Sequence, residues 1–359
     1  MTALRTANSA PDGTGAPGPA PPRRGRPRSA TLRLVRERCI LALLIACGVF
    51  SLATTVFIIG ILATESSRFF TTEMTNAQGE VTKVSFFADF LGDTEWNPLL
   101  GSDKHFGIWP LILGTFKIVF VAMAFALPLG LIVAIWLSEY APAAARSILK
   151  PVLEILAGIP TVVFGFFALT FITPLLRMPW LTDDAGNPIN PLGFENYNVL
   201  SAGLAVGIMC LPIVTSLSED AIRAVPSALR EGSYGLGASR FETSWRVIMP
   251  AALSGIVAAF LLAIARAVGE TMIVALAAGM TPERLLSDTG SFDPGSVVAI
   301  NEPTQTMTGF MVQMFTGDVA NGTVEYYSSY AVAATLFILT FGITILGSII
   351  RGRFRQAYQ

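Results

Sequence analysis

Long apolar runs separated by polar connections dominate this chain. Six of these runs are long enough to cross about 30 Å of hydrocarbon as helices, because an α-helix rises about 1.5 Å per residue. The runs occupy residues 39–64, 111–137, 151–173, 199–217, 251–280 and 330–350. Glu154 and Pro160 interrupt the third run, which makes it the least regular of the six. The pattern predicts an all-α polytopic membrane protein with six transmembrane helices.

Composition agrees with a membrane protein. Of the 359 residues, 52% are hydrophobic and 14% are charged, whereas a soluble domain carries about 25% charged residues. Lysines and arginines outside the runs divide 17 to 5 between alternate connections, with the larger number on the side of both chain ends. Because basic segments beside spans tend to stay in the cytoplasm, we expect a multi-pass plasma-membrane protein with both termini cytoplasmic.

The predicted spans divide the chain into five parts. Residues 1–38 form a disordered basic tail, since their Pro, Gly, Ala and Arg content buries too little apolar surface to fold. The first span at 39–64 precedes an extracytoplasmic loop at 65–110, five further spans within 111–350 form the core, and 351–359 form a second cytoplasmic tail. A cleaved signal peptide is the alternative for the first span, but its long apolar stretch favours an uncleaved anchor.

Few residues in this chain suit catalysis or metal binding. Its three cysteines lie in or beside predicted spans and it has one histidine, so neither a disulfide framework nor a histidine-based metal or catalytic site is expected. None of its four lysines follows a glycine, as a nucleotide-binding phosphate loop requires. We therefore expect no catalytic residue, no cofactor and no nucleic-acid partner. Membrane lipid surrounds the chain, and any ATP that powers it binds another subunit.

One inner connection, residues 218–250, is long and too polar to enter the membrane. Pro226 suits a first helical turn, Gly235 and Gly237 suit a helix end, and residues 240–249 suit a second short helix. A helical pair that projects from the membrane favours docking to another protein. An ordinary solvated connector is the alternative that the local pattern leaves open.

Within that connection, the stretch EGSYGLGASRFETSWRVIMP resembles the signature of the permease subunits of ABC importers. Glu231, Gly237 and Pro250 match the signature in register, and Gly232 and Ser233 stand where the family has two alanines. The resemblance implies that this segment is a coupling helix. Such a helix fits a groove on a separate ATPase subunit and transmits its closure to the spans.

Three further stretches resemble one branch of these importers. They read EILAGIPTVVFGFF from residue 154, LPIVTSLSEDAIRAVPSALREGSYGLGAS from residue 211, and ARAVGETM from residue 265. Their order and spacing are similar to those of the phosphate-specific importer permeases, the PstC and PstA type, over residues 111–350. The long loop at 65–110 favours the PstC type.

This resemblance implies a fold, a substrate and partners. The fold is the importer-type, MetI-like helical bundle, and the function is the movement of inorganic phosphate into the cell while a separate subunit hydrolyses ATP. The implied partners are phosphate, a paralogous permease of the PstA type, an ATPase dimer and an extracytoplasmic phosphate-binding protein. Another oxyanion such as sulfate is an alternative substrate.

Two charges lie inside the fifth apolar run. Arg266 falls near the middle of residues 251–280, and Glu270 follows four residues later. Each charge costs roughly 2.5–3.5 kcal/mol to insert, so the pair opposes insertion by about 5–7 kcal/mol before compensation. A spacing of four places both side chains on one helix face, where they form either a structural lock or part of a substrate path. Intramembrane charges usually face a path.

We expect Arg266 to line the translocation path and Glu270 to tune it. The arginine fork binds a phosphate oxyanion through two hydrogen bonds and stays charged. Glu270 holds that fork when the path is empty and accepts a hydrogen bond from a protonated phosphate oxygen. Thr161 and Thr271 offer hydroxyls to the anion, although threonines in spans commonly bond their own backbone. Lys117 adds positive potential unless it extends to the outer interface.

Two other classes of function compete with this interpretation. An ion-coupled secondary carrier would also place charges in a span, but it would not need the docking signature of residues 231–250. A membrane enzyme or a signalling scaffold is a third class. The lack of a catalytic constellation opposes the enzyme, and the charges within a span oppose the scaffold.

Overall fold

A computed structural model describes residues 30–75, 81–99, 104–178, 190–282, 285 and 294–355. Helices within these residues are α1 (Ala30–Thr71), α2 (Trp109–Ile135), α3 (Ala143–Ala157), α4 (Thr161–Phe167), α5 (Thr173–Leu176), α6 (Val199–Arg223), α7 (Ser227–Gly235), α8 (Arg240–Thr243), α9 (Met249–Val268), α10 (Met272–Ala277), α11 (Pro294–Val298), α12 (Met307–Thr316) and α13 (Val324–Arg355). Single π-helical turns lie at Phe86–Phe90, Trp136–Tyr140, Ala168–Ile172 and Ser244–Ile248.

Strands are confined to two short antiparallel pairs before α2. Strand β1 (Glu73–Thr75) pairs with β2 (Val81–Lys83), and β3 (Trp96–Asn97) pairs with β4 (His105–Phe106). Five described helices are long and apolar enough to span a membrane, or six if α3 and the helix that begins at Thr161 count as one bent span. The prediction of an all-α polytopic membrane protein is confirmed.

The ends of the helices differ from the predicted boundaries of the spans. Helix α1 begins at Ala30 instead of residue 39, so part of the expected disordered tail is helical. The remainder of that tail, residues 1–29, lies outside the described residues. Helix α13 continues to Arg355, past the predicted limit at 350. Polar residues extend these helices because the backbone hydrogen-bond ladder does not require apolar side chains.

The third predicted span is bent. Helix α3 ends at Ala157, α4 begins at Thr161, and the two axes meet at 90°. Pro160 has no backbone N–H to donate to the preceding turn and disfavours a helical conformation in the residue before it. The interruption that Glu154 and Pro160 mark in the sequence therefore becomes a sharp turn between two helices.

Contacts divide the chain into two units, Met1–Ile58 and Ile59–Gln359. The described part of the first unit is helical throughout and belongs to α1. In the second unit, α2 and α6 pack closely through small residues. A Cβ atom added to Gly203 of α6 would lie 2.5 Å from Val121 Cγ1 of α2, so glycine permits this approach.

The two ends of the second unit have different cores. At the end where α2 and α6 stop, the helices α7 and α8 lie beside a cluster that includes Ala134, Ile222 and Ile248. We call this end the hairpin end, because α7 and α8 form a helical pair there. At the opposite end, which we call the loop end, residues between α1 and α2 fold over α12, and the Trp96 and Phe310 ring centroids lie 4.8 Å apart. The long loop of the sequence is therefore a packed cap.

Candidate functional site

A break in the fifth apolar run positions the two charges. Helix α9 ends at Val268, Gly269 forms its C-cap, and α10 begins at Met272. The prediction that Arg266 and Glu270 share one helix face near the middle of a continuous span is wrong, because the helix stops between them. Glycine has low helix propensity and frequently ends helices, and here Glu270 and the β-branched Thr271 follow it.

Arg266 and Glu270 nevertheless remain neighbours across this break. Arg266 Nη2 lies 3.8 Å from Glu270 Oε2, and it also lies 3.8 Å from the Met209 sulfur of α6. The Arg266 side chain is 48% exposed, whereas that of Glu270 is 3% exposed. The arginine is thus partly accessible, whereas the carboxylate beside it is buried.

Glu270 also anchors two helices. Its Oε1 accepts a hydrogen bond of 3.5 Å from the Ile273 N–H in the first turn of α10. Its backbone carbonyl accepts a hydrogen bond of 2.7 Å from the Thr308 hydroxyl of α12. A carboxylate at a helix start satisfies a free N–H and opposes the positive end of the helix dipole. Glu270 therefore fixes the backbone from which Arg266 projects.

A buried polar segment, residues 304–308, lies next to Glu270 and was missed by the sequence analysis. Thr304, Gln305, Thr306 and Thr308 are each at most 3% exposed. The Thr115 hydroxyl of α2 accepts a hydrogen bond of 3.1 Å from the Met307 N–H. The Thr304 hydroxyl has no hydrogen-bond partner among the described residues. The signal in the sequence is the run TQTMT, whose hydroxyl residues recur at every second position.

Close packing holds this segment against α2. A Cβ atom added to Gly114 would lie 2.4 Å from the Gln305 carbonyl oxygen and 2.5 Å from Thr304 Oγ1. No other residue type leaves room for that backbone approach. Gly114 therefore determines how deeply residues 304–308 can settle beside α2.

The other three predicted path residues lie on separate elements. Thr271 sits in the break itself, where its hydroxyl donates to the Gly269 carbonyl at 3.4 Å. Thr161 is the first residue of α4, a helix that packs on α10 with Gly165 against Ile273. Lys117 is half-buried in α2. The structure thus brings Thr271 next to the charged pair and puts Thr161 on a neighbouring helix.

The helical pair predicted for the inner connection, residues 218–250, is present as α7 and α8. Gly237 links them with φ +85°, a left-handed conformation that favours glycine. Ser239 and Glu242 form a capping box, in which the Ser239 N–H donates to Glu242 Oε2 at 2.9 Å. The Ser233 and Thr243 hydroxyls lie 2.9 Å apart and join the two helices. We call this unit, residues 226–243, the hairpin.

The hairpin exposes apolar and small residues at its tip. Leu236 is 92% exposed and Phe241 is 69% exposed, and both are large apolar side chains. A Cβ atom added to Gly232 or Gly237 would meet no atom within 4 Å. Glu231 is also exposed, and Pro250 is half-buried in the first turn of α9. Four of the five predicted coupling residues therefore lie in this one projecting unit.

A multi-span helical bundle with charges at a broken helix and a projecting apolar hairpin defines a transport permease subunit. The chain belongs to the family described as "Binding-protein-dependent transport system inner membrane component", which matches residues 126–356. It is thus a membrane component of a transport system and not an enzyme. Membership in this family does not favour the alternative function, an ion-coupled secondary carrier.

Similar proteins cover most of the chain. It is 32% identical to the "Probable ABC transporter permease protein YqgH" of Bacillus subtilis, over 72% of this chain and 75% of that protein. It is 30% identical to the "Phosphate transport system permease protein PstC" of Xylella fastidiosa, over 73% of this chain and 77% of that protein. The recognition of a PstC-type permease from sequence stretches is confirmed.

A solved structure shows the same fold. A bacterial ABC transporter involved in the import of the acidic polysaccharide alginate matches with a TM-score of 0.58 at 13% identity. The match covers 89% of this chain and 97% of that chain. The prediction of an importer-type permease bundle is therefore confirmed.

Proposed function

We propose that this chain is the PstC-type permease subunit of an ATP-driven importer of inorganic phosphate. Relatives named PstC support this assignment, among them the Xylella fastidiosa protein at 30% identity. Further PstC relatives from Mesorhizobium japonicum and Pasteurella multocida are 31% identical to this chain. Membership in a binding-protein-dependent family agrees with an ATP-driven machine.

The observation that carries the phosphate assignment is the exposed Arg266 with the buried Glu270 beside it. The guanidinium supplies a planar fork of donors that matches two oxygens of a phosphate oxyanion. Glu270 lies 3.8 Å from that fork and reduces its net charge when the path is empty. A protonated phosphate oxygen can donate to this carboxylate, whereas sulfate carries no proton at neutral pH. The pair thus attracts phosphate without holding it permanently.

Three further residues complete the proposed path. Thr271 lies in the break next to Glu270, and Thr161 lies at the start of α4, which packs on α10. Their hydroxyls offer neutral donors to an anion that leaves Arg266. Lys117 in α2 adds positive potential. Each contributes less than Arg266, because neither a hydroxyl nor an ammonium offers a planar two-donor fork.

We further propose that the hairpin is the ATPase-coupling segment. Glu231, Gly232 and Gly237 are exposed near Leu236, and the half-buried Ser233 joins α7 to α8 through Thr243. Pro250 lies in the first turn of α9, the helix that leads from the hairpin to Arg266. The apolar tip suits a hydrophobic groove on an ATPase subunit, and the small residues allow close approach of its backbone. In this scheme an ATPase dimer and a PstA-type permease complete the membrane complex.

The distribution of basic residues supports an orientation for this complex. The 17 to 5 division supports a cytoplasmic location for the hairpin and both chain ends. The first span, proposed at 39–64, then leads to an external cap at 65–110, and the permease core occupies 111–350 with coupling segment 218–250. Residues 1–38 and 351–359 form cytoplasmic tails. The acidic cap is the proposed docking surface for a phosphate-binding protein.

Labelled phosphate uptake into liposomes tests the function. The liposomes contain this chain, its PstA-type partner and the ATPase, with binding protein outside and ATP inside. We expect uptake that requires ATP and resists excess sulfate. Uptake without ATP would contradict the importer assignment, and ATP-driven uptake that sulfate inhibits would contradict the substrate.

A further inference from the structure

Two arginines join the hairpin-end termini of α2 and α6. Arg230 of α7 donates to Glu139 Oε1, in the π turn that extends α2, from Nη2 at 2.9 Å and from Nε at 3.3 Å. The same guanidinium donates to the Ile222 carbonyl at 2.9 Å and the Val225 carbonyl at 2.6 Å, at the end of α6. Arg230 therefore holds a carboxylate of one helix and the last carbonyls of the other.

The second arginine makes the reciprocal contacts. Arg146 of α3 donates to the Leu137 carbonyl from Nε at 2.9 Å and to the Ser138 carbonyl at 2.8 Å, at the end of α2. Its Nε also lies 3.7 Å from Glu219 Oε1 of α6. Glu219 is completely buried and receives a hydrogen bond of 2.7 Å from Lys150. Arg146 thus holds the carbonyls of α2 and a carboxylate of α6.

Helix-end electrostatics explain why arginines occupy these places. The last carbonyls of a helix have no partner within the helix and carry partial negative charge, so a cation there is stabilising. Each guanidinium has five donors and can satisfy such carbonyls and a carboxylate together. We call Arg146, Arg230, Glu139 and Glu219 the arginine clamp. The clamp prevents the ends of α2 and α6 from separating without breaking charge-assisted hydrogen bonds.

The position of Arg230 distinguishes it from Arg146. It lies within α7, a nine-residue helix of the hairpin, so a displacement of the hairpin moves Arg230 directly. The Arg230 side chain is 20% exposed and that of Glu139 is 8% exposed, which makes their contact little screened by water. We propose that Arg230 is a positioning residue that carries hairpin movement to α2 and α6 together, which rests on the proposed function.

The test measures phosphate moved per ATP hydrolysed. It uses the complete complex in liposomes, purified through the ATPase subunit so that only assembled complexes are counted. The variants are Glu139→Gln, Arg230→Gln and the double variant. We expect each single variant to assemble and hydrolyse ATP but to lower the transport ratio about tenfold, as loss of a charge-assisted contact allows. The double variant is expected to match Arg230→Gln, because that variant already breaks the contact with Glu139 as well as the two carbonyl contacts.

Arg223→Gln is the matched control. Arg223 lies 3.3 Å from Glu219, but the two residues are four apart in α6, so their ion pair joins no separate elements. We expect this variant to keep the wild-type ratio. Arg230→Lys retains the charge without the planar fork and is expected to give an intermediate ratio. If Arg230→Gln does not assemble, Glu139→Gln and Arg230→Lys decide the result.

The result for the wild-type complex distinguishes a failure of the proposed function from a failure of the role proposed for Arg230. Absence of ATP-driven phosphate uptake by the wild type would contradict the proposed function. Normal wild-type uptake with an unchanged ratio in Glu139→Gln and Arg230→Lys would contradict the role of Arg230 alone. A parallel loss of hydrolysis and uptake, at constant ratio, would indicate a merely structural ion pair and would also overturn the proposal.

Discussion

At the level of single residues, Arg266 and Glu270 have different tasks. The arginine is 48% exposed at the end of α9, whereas the carboxylate is 3% exposed and also accepts from the Ile273 N–H. Removing the whole carboxylate group therefore changes two things that variants can separate. One is the balance of charge next to the anion, and the other is the cap of α10.

Replacement of Glu270 tests both tasks. In Glu270→Gln the charge is lost but an oxygen still accepts from Ile273, whereas Glu270→Ala removes both. We expect the maximum rate of phosphate uptake to fall about fivefold in both variants, the size of a partly exposed ion pair, because release from an unopposed Arg266 slows. Only Glu270→Ala should also lower the melting temperature of the purified complex. Equal melting temperatures would contradict the capping role.

Gly114 tests the packing of the polar segment 304–308. A Cβ atom at this position would lie 2.4 Å from the Gln305 carbonyl oxygen, so Gly114→Ala forces the segment away from α2. We expect a cost of about 1–3 kcal/mol, measured as a lower midpoint in thermal unfolding. Gly342→Ala in α13 is the control, since its added Cβ meets no atom within 4 Å. Equal midpoints for the two variants would contradict the close approach.

Residue types in the sequence identified the charged pair but not its surroundings. Arginine and glutamate stand out in an apolar run, so Arg266 and Glu270 were visible without a structure. Residues 304–308 were not singled out, because their close packing involves Gly114, far away in the chain. The contact between Arg230 and Glu139 likewise joins positions 91 residues apart. Local pattern cannot reveal such long-range contacts.

At the level of elements, a proline and a glycine mark two places where helices stop, Pro160 before α4 and Gly269 after α9. The sequence indicated the interruption at Pro160, because a proline inside an apolar run is a strong local signal. It did not indicate the break after Val268, because the apolar run resumes at Met272 after only Gly269, Glu270 and Thr271. Hydrophobicity alone therefore predicted one span where the structure has α9 and α10.

The hairpin offers a matched pair of glycines for testing coupling. Gly237 has φ +85°, and added Cβ atoms on Gly237 and Gly235 both meet open space. Gly237→Ala should therefore strain the turn by about 1 kcal/mol or more, while Gly235→Ala should not. We expect only Gly237→Ala to reduce ATP hydrolysis by the complex and recovery of the ATPase with the permease. Equal effects would contradict the importance of the turn.

At the level of the whole molecule, the proposed orientation places the hairpin inside and the loop end outside. Leu236 and Val298 are 92% and 74% exposed and suit labelling from opposite sides. In a chain whose three native cysteines are replaced, we expect an impermeant thiol reagent applied to intact cells to label Val298→Cys but not Leu236→Cys. Inverted membrane vesicles should reverse the result. Labelling of Leu236→Cys in intact cells would contradict the orientation.

The most direct measurement of the central claim compares ATP-driven uptake of labelled phosphate by wild type, Arg266→Ala and Arg266→Lys in complexes with equal assembly. Loss of the guanidinium group in Arg266→Ala should lower uptake at least about tenfold. Arg266→Lys keeps the positive charge, so its uptake should fall less. Arg177→Ala removes an arginine that bonds Asn196 at the loop end and should leave uptake unchanged. Normal uptake by an Arg266→Ala complex that inserts and assembles would contradict the proposed path.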